Sequence, residues 1–290
     1  MNTASIEGNA GQAGEKVREF HFTDKEFQFI REMVTSHTGI KLPDAKREMV
    51  YGRLSRRLRE LSLNSFSDYC ALLEKDADSE LGHLVNAITT NLTSFFREKH
   101  HFDYMKQTLA PLLEKHNRDK RVRIWSAGCS TGAEPYSIAM TMSETLPSAR
   151  GWDVKILATD IDTKVLQTGK DGIYHDRDVT GVSDQQLRRW FQKGKGEHEG
   201  TMRVQDELRD MITFRQLNLL GPWPMKKTFD FIFCRNVVIY FDKDTQRKLF
   251  SRYADHLAPG GHLFIGHSES LYKVSDRFKL IGQTIYRKTE

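Results

Sequence analysis

The chain has 290 residues, 38% hydrophobic and 29% charged, with a formal net charge of +5. That leaves room for one large and one smaller folded domain, and a core of that size needs no disulfide or metal staple. Cys70, Cys129 and Cys234 form no CxxC pair, no basic segment leads into an apolar run at the N-terminus, and the apolar stretches are short. These features argue against structural zinc, a disulfide framework, a secretory signal and a membrane span, and they fit a reducing, cytoplasmic setting.

Residues 1–19 carry almost nothing to bury and read as a disordered tail. Thr23 and Glu26 have capping-box spacing and open a helix over residues 24–36, with Phe27, Ile30 and Val34 on one face. A second helix over residues 45–61 carries the stripe Val50, Leu54, Leu58 and Leu61. Lys46, Arg53, Arg56 and Arg57 lie beside that stripe. Ser65 and Ser67 precede a third helix, and a fourth spans residues 79–90. Four helices without a strand signal make an all-α N-terminal domain over residues 20–90. Residues 91–120 then read as a linker, with a linker helix over 98–116.

From residue 121 the pattern changes to strands alternating with helices. Strands are expected at 122–125, 153–159, 211–217, 229–234 and 262–266, with a last edge strand at 284–287. Pro259-Gly260-Gly261 is the turn into the fifth of these. The alternation predicts an α/β domain over residues 121–290: a mainly parallel sheet, covered on both faces. The interval of about 173–210 breaks the rhythm with a helix at 184–192, a glycine-punctuated loop at 194–200 and a strand at 201–204. It reads as a small inserted hairpin subdomain.

Open parallel sheets bind ligands at the carboxyl ends of their strands. There the loop Gly128–Gly132 lets the backbone approach a ligand and opens a helix N-terminus. Asp160 ends the second strand and is placed to accept hydrogen bonds from ribose hydroxyls, and Asn218, after the third, to face the edge of a base. A GxGxxG fingerprint is missing: counted from Gly128, the third position is Ser130 and the sixth Ala133. Glu134 at the start of the helix repels phosphate but suits an ammonium group. The cofactor favoured is S-adenosylmethionine, which is zwitterionic at its amino-acid end.

Several long motifs carry a resemblance. TTNLTSFFRE (89–98), WSAGCSTGAEPYSIA (125–139), ATDID (158–162), FCRNVVIYF (233–241) and GHSE (266–269) are similar, in order, to segments of CheR chemotaxis-receptor methyltransferases. The resemblance covers nearly the whole chain from about Phe22. It implies a Rossmann-like, seven-stranded S-adenosylmethionine methyltransferase sheet with a small antiparallel β insert, behind the helical domain. It implies methylation of chemoreceptor glutamates, with S-adenosylhomocysteine as product. Carried over by position, Asn91, Thr93, Arg97, Gly128, Glu134, Asp160, Asn218, Leu219, Asn236 and Val237 would line the cofactor site, with Arg97 and Tyr240 closest to the chemistry. Lys46, Arg53, Arg56 and Arg57 would dock an acidic receptor helix bundle, and the insert would take a receptor's C-terminal peptide as an edge strand. The partner implied is the cytoplasmic domain of methyl-accepting chemoreceptors. A monomer recruited to membrane receptor arrays is the simplest form.

Plainer readings stand beside these. Tyr240 fits a half-buried aromatic, Arg97 a surface arginine, and Asp160 a helix cap. The arginine face fits a solvated one. His100, His101 and His267 show no spacing that gathers three metal ligands. A nucleic-acid methyltransferase would suit the positive charge. Amino-methylating enzymes of that kind carry an Asn/Asp-Pro-Pro-aromatic turn, and Asn236-Val237-Val238-Ile239-Tyr240 has no proline.

Overall fold

The computed structural model describes residues 18–109, 111, 113, 119–146 and 151–289. The tail expected over residues 1–19 thus lies, up to residue 17, outside the described residues.

Four helices form the front of the chain: α1 (Asp24–Thr38), α2 (Arg47–Glu60), α3 (Phe66–Lys75) and α4 (Ala77–Ile88). The capping box opens α1 as expected: the Thr23 hydroxyl accepts the Glu26 amide at 3.3 Å, and the Glu26 carboxylate accepts the Thr23 amide at 2.6 Å. The predicted apolar stripes face inward, with Ile30, Leu54, Leu58, Tyr69 and Leu73 fully buried together. Inside this bundle Glu80 is buried. It accepts Arg57 through Nε at 2.9 Å and Nη2 at 2.7 Å, and the Tyr69 hydroxyl at 2.9 Å.

The linker helix begins two residues later than its pattern suggested, and residues 111 and 113 are still helical. It starts as α5 (His100–Tyr104) and opens into a wider π turn over Met105–Leu109. Of the rest of its expected span, residues 110, 112 and 114–116 lie outside the described residues.

Ten strands follow. The large sheet has seven in the order β6-β2-β1-β7-β8-β10-β9. Its parallel part is β6 (Ile212–Gln216), β2 (Asp153–Asp160), β1 (Arg121–Ala127), β7 (Phe229–Cys234) and β8 (Leu257–Ile265). The first crossover places β2 on one side of β1, and β7 later pairs on the other, so the strand order reverses at β1. α6 (Ala133–Thr145) and α7 (Thr163–Asp171) contribute to one buried core, and α10 (Lys243–His256) to another. Both faces of the sheet are therefore covered, as the near-continuous apolar runs of β1 and β7 require.

Two strand expectations need correction. The strand expected at the edge is β10 (Ile285–Lys288), and it lies between β8 and β9, paired antiparallel to both. The true edge is β9 (Phe278–Gly282), whose Lys279 and Leu280 are exposed. Charge on an outer strand discourages pairing with other chains. The turn expected at residues 259–261 is an irregularity within β8 instead, where the pairing jumps from Phe229–Leu257 to Phe231–His262.

The insert is a second sheet, not a simple hairpin. β3 (Ile173–His175) and β4 (Phe191–Lys193) both pair antiparallel to a central β5 (Thr201–Val204). α8 (Asp184–Trp190) and the single turn α9 (Asp206–Arg209) flank it.

Two buried histidines give the fold an acid-sensitive seam. His101 in α5 packs on Phe264, and His262 lies on β8. Burial, helped by Arg235 and His100, lowers His101 to about 3, and burial with Arg287 lowers His262 to about 4. Both are neutral in the fold but bind protons in the unfolded chain below about 6.5. Unfolding therefore takes up protons between about 6.5 and 4, and stability falls as pH falls, by at most ~1.4 kcal/mol per pH unit for each histidine. Urea melts at pH 7.5 and 5 should show a clear loss at pH 5. His101→Gln should flatten the slope, and a pH-independent midpoint would contradict this account.

Candidate active site

The carboxyl ends of β1, β2 and β7 meet where the strand order reverses. β1 runs out at Ala127 and the chain turns at Gly128, with φ at +92°. A Cβ on Gly128 would sit 2.4 Å from Val237 Cγ2, so glycine lets the loop after β1 close on the loop after β7 without displacing that side chain. Gly128 and Cys129 donate their amides to the Thr159 carbonyl at 2.8 and 2.9 Å, which fixes the loop against the end of β2.

Two carboxylates face this junction. Asp160 accepts the Ser130 amide at 2.8 Å and the Asp162 amide at 3.1 Å. Glu134, in the first turn of α6, accepts the Ser126 hydroxyl at 2.7 Å and Arg235 at 3.2 Å. Burial pushes both carboxyls up from their ordinary range, against the amides at Asp160 and against Arg235 and Ser126 at Glu134.

Residues 91–97 cross above these loops. The Asn91 amide group donates to Asp162 at 2.7 Å, and Ser130 Oγ donates to the Asn91 carbonyl at 2.8 Å. The Phe96 amide donates to Ser137 Oγ at 2.9 Å, and Arg97 Nη1 donates to the Leu92 carbonyl at 3.0 Å. Beneath them Arg235 is buried, 3.2 Å from Glu134 and 3.4 Å from Glu98, and it donates to the Arg97 carbonyl.

The helical domain closes the far side. The Lys41 amide donates to the Tyr240 carbonyl at 3.0 Å. Asn218 Nδ2 donates to the His37 carbonyl at 2.5 Å. One cavity results. Asn91, Thr93, Arg97, Gly128, Glu134, Asp160, Asn218, Leu219, Asn236, Val237 and Tyr240 all line it, and Lys46 stands at its helical side. Ile161, Leu217 and Leu219 supply apolar wall. Carboxylates for an ammonium group and for ribose hydroxyls, with apolar surface for a flat ring, fit S-adenosylmethionine.

Sequence reasoning missed the helical domain's contribution of Thr38, Ile40, Lys41 and Met49 to this wall. No local pattern reports which loop will cover a distant sheet. It also missed Arg235 and Glu98. Glu98 ends one quoted motif and Arg235 stands third in another, and an arginine directly after a buried strand is a readable hint of a buried ion pair.

The basic face divides on inspection. Arg53 does not project to solvent. Its Nη1 donates to the carbonyls of Ala87, Ile88 and Thr89 at 3.3, 2.7 and 2.8 Å, and its Nη2 to Thr90 Oγ1 at 3.3 Å. Arg57 is engaged by Glu80. Both guanidiniums are thus engaged within the helical domain, drawn in by helix-end carbonyls and a buried carboxylate. Arg56 keeps 81% of its side chain exposed, beside Glu60 at 3.3 Å.

Glu98, His100 and His101 place ligand-type atoms within 4.8 Å of one another, a cluster that histidine spacing alone does not reveal. Burial raises the Glu98 carboxyl, but Arg235 and the His267 hydrogen bonds outweigh it and hold the group at about 2. Its charge is thus already met by a buried guanidinium.

Comparison with known proteins agrees with this architecture. Residues 91–287 match the model of the CheR methyltransferase, SAM binding domain, and residues 25–89 that of the CheR methyltransferase, all-alpha domain. The fold and site thus define a methyltransferase that uses S-adenosylmethionine. The chain is 47% identical to the chemotaxis protein methyltransferase of Escherichia coli (strain K12) over 269 residues, 91% of either chain. It is 43% identical to that of Klebsiella aerogenes, over 100% of this chain and 98% of the relative. It is 45% identical to chemotaxis protein methyltransferase 2 of Pseudomonas aeruginosa, over 93% and 95%. The chain belongs to the CheR methyltransferase family.

The placement of Arg53 yields a prediction that separates anchoring from docking. Arg53→Ala frees the end of α4 and loosens residues 89–91 beside the cavity, so it should weaken S-adenosylhomocysteine binding by about threefold or more. Calorimetric titration checks this. Unchanged affinity with a raised KM for the methyl acceptor would restore the docking role.

Proposed function

We propose that this protein transfers the methyl group of S-adenosylmethionine to glutamate side chains on the cytoplasmic domains of methyl-accepting chemoreceptors, giving glutamyl methyl esters. The observation that carries the reading is the meeting of Arg97 and Tyr240 on one cavity with Glu134 and Asp160. Support comes from the relatives, which are named chemotaxis protein methyltransferases.

When bound, S-adenosylmethionine supplies a methyl group on a positively charged sulfur. A glutamate carboxylate, with a free pKa of about 4.3, is ionised at neutral pH and needs no general base. The protein's task is alignment and exclusion of water. Glu134 meets the cofactor's ammonium group, and Asp160 the ribose hydroxyls. Arg97 holds the incoming carboxylate loosely, because a tight pair would stabilise the ground state and slow the step. Tyr240 orients the acceptor oxygen through its hydroxyl. This account has no use for a nucleophilic cysteine, and Cys129 and Cys234 are buried, with their thiol pKa values well above the usual range.

Docking in this proposal falls to Lys46 and Arg56 on the acidic side of a receptor helix bundle. The edge strands of the insert, β3 and β4, offer free ladder positions to a receptor's C-terminal peptide, which would raise local concentration through a tether. No helix among the described residues is long and apolar enough to cross a membrane. The enzyme would act at the cytoplasmic face of receptor arrays.

Kinetics on chemoreceptor-containing membranes test the roles. Arg97→Ala should lower kcat by about 100-fold while the fold survives. Arg56→Glu should raise the receptor KM several-fold and leave cofactor affinity unchanged. Near-normal receptor methylation by the Arg97 variant would remove the assignment of the chemistry to this end of the cavity.

A further inference from the structure

The motif GHSE at residues 266–269 has no part in the scheme above, yet its acid is buried beside the site. β7 and β8 run parallel and end together, Cys234 opposite Ile265. Beyond that pair the ladder ends. The amides of Asn236, Val238 and Gly266 then have no neighbouring strand to accept them, and a buried amide without an acceptor is costly.

One side chain takes all three. Glu269 Oε2 accepts the Gly266 amide at 2.5 Å and the Asn236 amide at 3.0 Å, and Oε1 accepts the Val238 amide at 2.9 Å. The Glu269 amide closes the turn by donating to the Gly266 carbonyl at 2.9 Å. Glu269 is 6% exposed, so water competes little for these bonds.

The loop it grips is under constraint. Asn236 has φ at +58°, in the left-handed region that a non-glycine residue enters at a cost. A Cβ on Gly266 would lie 2.4 Å from Asn236 Nδ2, so the two loops pass in contact. The same loop presents Asn236, Val237 and Tyr240 to the cavity.

We propose that Glu269 is a positioning residue of the methyl-transfer site: its carboxylate gathers the amides of Gly266, Asn236 and Val238 and so sets the loop that carries Asn236, Val237 and Tyr240. This deepens the reading of the cavity as the cofactor's site and rests on it. A carboxylate is required because it is acceptor-only, with two oxygens. A carboxamide would aim its own N–H groups at at least one backbone amide.

Titration of S-adenosylhomocysteine into the native chain and Glu269→Gln tests the inference, with Leu73→Ala in the helical core as the control for plain loss of stability. Per folded molecule, Glu269→Gln should bind about tenfold more weakly or worse, Glu269→Asp should fall between, and Leu73→Ala should keep native affinity despite a lower Tm. Native affinity in folded Glu269→Gln would overturn the inference. Hydrogen exchange on the native chain covers a variant that fails to fold: slow exchange at Asn236, Val238 and Gly266 is expected, and rapid exchange at these amides would overturn the proposal. No binding by the native chain would overturn the cavity reading, and the inference with it.

Discussion

A single buried cation organises this molecule. The Arg235 guanidinium sits between Glu98 and Glu134 and donates to the Arg97 carbonyl. The cation follows the end of β7, and its partners come from the linker and the first turn of α6. Removing a charge from water is expensive, and it is tolerated only where opposite charges and hydrogen bonds surround it. Arg235 therefore fixes the linker to the sheet at the point where the cavity forms. The low carboxyl of Glu98 follows from this charge, which also adds to the burial that keeps His101 neutral.

The cavity is a joint product of two domains. Carboxylates and loop backbone come from the sheet, while Ile40, Lys41 and Met49 come from the helical bundle. The backbone hydrogen bond from Lys41 to Tyr240 and the side-chain bond from Asn218 to the His37 carbonyl hold the bundle against the sheet. Arg53 acts within the bundle, where its grip on the end of α4 steadies the chain as it enters residues 89–97. The helical domain thus contributes a wall to the site.

Much of this was legible in the sequence, for physical reasons. Thr23 and Glu26 announce a helix start because their chemistry is local. Gly128, Glu134 and Asp160 announce a ligand site because their spacing follows from strand ends in a parallel sheet. Other features depend on partners distant in sequence and could not be read. β3 and β4 have three residues each, too short for a periodic signal. β10 reads as an edge strand because nothing in Ile285-Tyr286-Arg287 reports that β9 will cover it. The stripe on α2 shows which face is buried, but not that Arg53 and Arg57 will bend toward carbonyls and Glu80. The resemblance placed the cofactor residues on one list, and they line one cavity, but it was silent on the buried arginine beneath them.

The central claim is that the enzyme's acceptor is a carboxylate, so the chemical stability of the product is the most direct test. Receptor-containing membranes would be incubated with the protein and S-adenosylmethionine labelled in the methyl group, then treated with mild alkali. The account predicts label on the receptor band that alkali releases as methanol, the behaviour of a methyl ester. Label that survives alkali would place the methyl group on nitrogen or another acceptor and contradict it.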